Sequence, residues 1–183
     1  PPTISRRQRQ MCIRDSRSPV ALANFDLDEN IRATGLRIAR AHGLDLVTAI
    51  KPLIRDRSIV VQRECAIGLR FETGPAAVKL WTDLAVKHDG EDRWFLEALG
   101  IGATDQWDAC MLEWRRRNEK LWAHRAGRDL VWRSRSRYTP EMLADLTLTA
   151  DEKDPYERYV RAFHFQGNQE ARRAGLLRVF DSE

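Results

Sequence analysis

Four histidines, three cysteines and a dense run of arginines carry most of the chemical potential of this 183-residue chain. His42, His88, His124 and His164 are scattered, and none pairs with His, Cys or a carboxylate at a metal-ligand spacing such as HExxH. His42 and His88 fall at expected helix ends, where a partly cationic ring complements the C-terminal dipole. His88-Asp89 beside Glu91 and Asp92 offers acid–base groups or oxygen ligands. An Asp-Gly turn flanked by charges reads first as a solvated loop, however, and the calcium-loop spacing is absent. Cys65 is followed by Ala-Ile-Gly and Cys110 by Met-Leu-Glu, so neither begins a CxxCH haem-attachment motif. On apolar helix faces both thiols act as small hydrophobes. The sequence contains no phosphate-binding glycine loop, no GxSxG and no dinucleotide fingerprint; Gly100-Ile101-Gly102 follows a helix pattern, not a strand. The expectation is therefore a non-catalytic chain with no catalytic, cofactor or metal-binding residue of its own.

The arginines allow two readings. Arg115, Arg116, Arg117, Lys120, Arg125, Arg128, Arg133, Arg135 and Arg137 are interleaved with Trp114, Trp122 and Trp132. Such a surface at 114–137 could hold phosphates, as in a nucleic-acid-binding helical repeat. The plainer reading is a solvated face paired with Glu113, Glu119 and Asp129, with the tryptophans in the core. Global charge does not decide between them. Arg6, Arg7, Arg9, Arg14 and Arg17 stand against Asp15 alone, which equals the whole net charge of +4 and leaves the rest neutral. Residues 1–17 are expected to be a disordered basic arm or an artefact; the string over 1–16 resembles a translated sequencing adapter, and Cys12 falls inside it. Residues 18–183 are expected to form one helical repeat domain. No apolar run of eighteen residues or more exists to span a membrane.

The elements that must position these residues read almost entirely as helix. Apolar residues recur at three- and four-residue intervals, and turn signals come about every fifteen residues. Helices are expected over 28–42, 45–54 (shortened by Pro52), 58–70, 75–88, 91–101 and 105–116, then a polar stretch at 118–128. Others follow over 129–135, from the Thr139-Pro140 cap, from the Asp154-Pro155 cap, and from Asn168 to Phe180. Ile31, Gly35, Ile38 and Ala39 are expected on one apolar face, Leu176, Leu177 and Phe180 inward, and Trp81, Trp94, Trp107 and Trp114 between helices. Helices this short are marginal alone and must pack side by side.

A repeat runs through them. Asp26 leads to Ile31-Arg32, Asp56 to Val61-Gln62-Arg63 and Asp89 to Trp94-Phe95, with a degenerate copy at 156–163. An Asp ahead of a helix accepts free backbone N–H groups, the apolar residue packs on the previous helix, and the Arg reaches a neighbouring Asp. One such pair leaves an apolar face uncovered, so pairs must stack. The expected fold is all-α: an α-solenoid of antiparallel helix pairs, about four repeats. Gln62 stands where the pattern asks for Arg, which puts that rung of the ladder in question.

The signature resembles the second helix of HEAT repeats, most closely over 26–39 and 56–69. The segments DRSIVVQRECAIGLR (56–70), KHDGEDRWFLEALGIGATDQWDA (87–109) and RDLVWRSR (128–135) resemble the HEAT region of PVC-type haem-binding CxxCH proteins, often labelled membrane-bound dehydrogenases. In that family a β-propeller precedes the helices and a c-type cytochrome domain follows. The resemblance implies an extracytoplasmic, periplasmic setting and a scaffold contacting flanking domains or other proteins. It implies c-type haem only on a flanking domain, and nucleic acid is not an expected partner.

Overall fold

The computed structural model describes residues 20, 23–117, 124–150 and 156–181. The expected basic arm, Lys120, Trp122 and the Asp154-Pro155 cap lie outside these residues. Ten α-helices are described: α1 (Glu29–Ala41), α2 (Leu46–Ile50), α3 (Ile59–Gly68), α4 (Pro75–Ala85), α5 (Arg93–Gly102), α6 (Trp107–Arg117), α7 (Arg125–Arg133), α8 (Thr139–Leu148), α9 (Glu157–Phe163) and α10 (Gln169–Phe180). Among the described residues there is no strand.

The helices sort into two rows. The odd-numbered helices α1, α3, α5, α7 and α9 each pack on the next in that row. Of the even-numbered helices, α2 packs on α4, α4 on α6 and α8 on α10. Successive helices pack across the rows at α1–α2, α3–α4, α7–α8 and α8–α9, giving a solenoid-like stack of five helix pairs, close to the four expected. One apolar core runs its length, with Trp81, Trp114, Tyr159, Phe95 and Phe163 among the largest buried side chains.

Local chemistry sets the ends. Asp28, Asp45, Ser58, Asp92 and Asn168 each cap a helix by accepting a first-turn N–H. Pro52 ends α2 at Ile50, and the chain continues as the 3-10 turn Lys51–Leu53. Thr139 does not cap α8: it is the first helical residue, and its buried hydroxyl bonds Ser134 instead. Helix α7 starts four residues ahead of the expected 129, inside the stretch read as polar, and ends at Arg133. Arg135 then folds back to donate to the carbonyls of Trp132, Arg133 and Ser134.

At Gly102 and Gly175 the helix comes close to a backbone carbonyl of its neighbour. A Cβ on Gly102 would lie 2.3 Å from the Ala66 carbonyl oxygen, so α5 meets the backbone of α3 there. A Cβ on Gly175 would lie 2.7 Å from the Pro140 carbonyl, which sets how near α10 comes to α8.

Three burial expectations fail. Trp94 is 72% exposed. The cap of α5 is Asp92, three residues after Asp89, whereas the caps of α1 and α3 follow their aspartates by two. The extra residue rotates the pattern, so Phe95 takes the place of Val61 in the core. Ile31 and Ile38 are exposed because α1 turns Ala33, Gly35, Leu36 and Ala39 inward. Leu177 and Phe180 are exposed on α10, while Leu176 packs against the core. Helices α1 and α10 stand at the two ends of the described stack, where one side has no described row neighbour.

Candidate functional site

The repeat aspartates share one geometry. The Oδ1 atoms of Asp26, Asp56 and Asp89 each accept the N–H two residues on, from Asp28, Ser58 and Glu91, at 2.8, 2.8 and 2.9 Å. They pin the turn before a helix; the capping falls to the residues after them. Arg32 then donates to the Asp26 carbonyl and Gln62 to the Asp56 carbonyl, both at 2.8 Å. Gln62 thus keeps the local bond that Arg32 makes one unit earlier.

The rungs between units are ion pairs. Arg32 binds Asp56 with two parallel bonds, of 2.7 and 3.0 Å. Arg63, the residue after Gln62, pairs with Asp92, so the second rung falls on the α5 cap and not on Asp89. Burial works against the Asp56 carboxylate, but the Arg32 fork and the Ser58 N–H outweigh it and hold its pKa below the usual range. Asp92 is lowered in the same way, against its burial, by the Phe95 N–H and Arg63. Val61 is buried in the core, as the repeat pattern expects.

The arginines of 114–137 are mostly engaged inside the stack. Arg116 forks onto Glu113 and Arg117 donates one bond to it, and together they lower its pKa to about 2. Arg117 also reaches Asp83 of α4, Arg133 reaches Glu97 of α5, and Arg137 reaches Asp108 of α6. Arg125 lies between Glu91 and Asp129. Arg135 stacks on Phe165, and Arg128 also has a contact. Arg115 makes no ion pair with a described residue and lines an open groove of about 900 Å³ with Pro75, Val78, Gln106 and Leu112. The expected pairing with Glu113 and Asp129 is present; Glu119 lies outside the described residues.

Sequence reasoning missed the environment of His88. The expectation puts it at a helix end beside a solvated Asp-Gly turn; it is 6% exposed and stands edge-on to Phe95. Neither ring nitrogen has a hydrogen-bond partner, and Nε2 lies 3.8 Å from Asp129 Oδ2, too long for a bond. Asp129 is buried and accepts from Arg158, which also lies over the Trp132 ring. Burial works against the Asp129 carboxylate, but His88 and Arg158 hold its pKa below the ordinary value. These residues, with Arg93 and Arg125, surround a cavity of about 240 Å³. His88 and Asp129 stand forty-one positions apart, which is why spacing alone gave no signal.

The other histidines stay apart: His42 ends α1, His124 precedes α7, and His164 follows α9 edge-on to Phe165. Cys65 and Cys110 are buried helical thiols whose pKa burial pushes up to about 12, a poor fit to thioether attachment of haem. Among the described residues no three His, Cys, Asp or Glu side chains are placed to hold a metal ion. No described helix is long and apolar enough to cross a membrane. Comparison with known proteins returns no matching family model, no matching curated protein and no matching solved structure.

Proposed function

We infer that this chain is a HEAT-type scaffold, a non-catalytic segment that holds neighbouring domains or other proteins at fixed geometry. The observation that carries this reading is the ladder. Asp26, Asp56 and Asp89 build the same turn, and Arg32 and Arg63 tie each unit to the next through partly buried ion pairs. Repeating bonds between layers make a stiff spacer whose surfaces are available for docking. The groove beside Gln106 and Leu112 is one such surface.

The resemblance to PVC-type haem-binding CxxCH proteins makes the reading more specific. The stack would join a dehydrogenase-like propeller to a c-type cytochrome module outside the cytoplasm, with haem on that module alone. The native reading frame on both sides tests this. A propeller upstream and CxxCH downstream are expected; the lack of both removes the family assignment and leaves the scaffold reading to stand on the ladder.

The engagement of most of the 115–137 arginines with carboxylates and carbonyls favours a scaffold over a nucleic-acid surface. Titration of duplex DNA at low salt is expected to show no binding. Binding that weakens steeply with salt would reverse the choice.

A further inference from the structure

We propose that copies of this chain associate head to tail, the leading face of one copy, at α1, docking on the trailing face of another, at α9 and α10. The inference goes beyond the scaffold reading and stands whether or not that reading holds.

The leading face shows an uncovered core position. Ile31 follows Asp26 by five residues, as Val61 follows Asp56. Helix α3 has α1 ahead of it in its row and buries Val61 completely. Helix α1 has no described row neighbour ahead of it and leaves Ile31 45% exposed. Ile38, seven residues on and on the same side of the helix, is exposed too, and Phe25 and Leu27 of the preceding turn are more so. The trailing face offers a counterpart. Leu177 and Phe180 stand exposed along an open groove of about 640 Å³ on α10. Apolar surface on both faces supplies a driving force for association.

Charge sets the orientation. Asp26, Asp28 and Glu29 cluster at the leading face, and the first arginine after them, Arg32, is committed to Asp56. The carboxylates of Asp26 and Asp28 accept N–H groups of their own turn and no guanidinium of a described residue. At the trailing face Arg161, Arg172 and Arg173 make no ion pair with a described residue, and the α10 groove sets two arginines against one acid, Glu170. Two leading faces would bring acid onto acid, and two trailing faces guanidinium onto guanidinium. Leading on trailing pairs them.

The ladder says where they meet. Arg63 stands five residues after the cap of α3 and reaches Asp92, the cap of the next helix in the row. Arg161 stands five residues after Tyr156, which holds the cap position of α9, and it is exposed. In a stack of copies the next helix start is the turn at 26–28 of the following copy, which brings Arg161 an acid. The two faces differ, so the contact is heterologous and propagates from copy to copy.

Sedimentation velocity of the full chain over about 1–100 μM is the test. The sedimentation coefficient is expected to rise with concentration past that of a dimer, and to fall back as salt is added. The Leu27→Glu, Ile31→Glu double variant blocks the leading face, and Arg161→Glu, Phe180→Glu the trailing face. All four side chains are exposed, and circular dichroism checks both folds. Each double variant alone is expected to associate at least about tenfold more weakly. An equimolar mixture is expected to form a dimer and nothing larger, because one open leading face and one open trailing face remain. A monomer at every concentration would overturn the proposal and leave the two faces to another partner or to residues 1–17. A wild-type assembly that stops at a dimer, unchanged association in either variant, or a mixture that stays monomeric would overturn it as well.

Discussion

The front and the rear of the stack use the same kinds of charged pairs in opposite directions. From α1 to α5 the arginine lies on the earlier helix and the acid on the later unit: Arg32 to Asp56, Arg63 to Asp92. From α6 onward the arginine comes later and reaches back: Arg117 to Asp83, Arg137 to Asp108, Arg158 to Asp129, Arg178 to Asp145. The front acids also sit in turns that a helix start organises, so they hold backbone and guanidinium together. Most of the rear acids sit within helices and hold side chains only. The front rungs should therefore contribute more to stability, because each receiver fixes main chain as well as charge.

The largest expected effect lies where the two regions meet. Trp107 stacks edge-on against Trp81, with centroids 5.9 Å apart, and Trp107→Ala should cost about 3–5 kcal/mol in urea unfolding. Exposed Trp94→Ala should stay within about 0.5 kcal/mol. A small loss at Trp107 would show that the α4–α6 contact does not join the halves. Next, Gly102→Ala pushes a methyl into the Ala66 carbonyl and should cost about 1–3 kcal/mol.

The direct comparison is Asp56→Ala against Asp145→Ala. The first strips a partly buried fork and a turn bond, an expected loss of about 2 kcal/mol. The second removes an exposed pair and should change stability by under about 0.5 kcal/mol. Equal losses would erase the distinction between front and rear.

The gentlest probe is pH. Asp56 and Asp92 have folded-state pKa values below their ordinary 3.8, so near that pH the unfolded chain binds more protons. Their stabilisation is complete above about pH 5 and fades as acid titrates the folded carboxylates. The urea midpoint should fall below that pH, and less steeply in Asp56→Asn.

The helices and the front ladder were legible because they rest on local rules. Periodicity marks a face, and an Asp two or three residues ahead of a cap marks a start. What escaped was register and distance. One added residue before α5 exchanged Trp94 for Phe95 in the core, a change that periodicity alone does not signal. Arg63 took the rung that Gln62 could not, since the pattern fixes the region and rotamers choose the atom. The His88 cavity brings together α4's exit, α5, α7 and α9, and no local rule spans that separation.

Among the described residues, helix α5 has a position that no other unit shares. Its carboxylates Glu91, Asp92 and Glu97 receive arginines from both neighbours, Arg63 on one side and Arg125 and Arg133 on the other. A tandem copy of this helix set beside the original would confront acid with acid. Charge therefore disfavours a second copy of α5 set directly against the first.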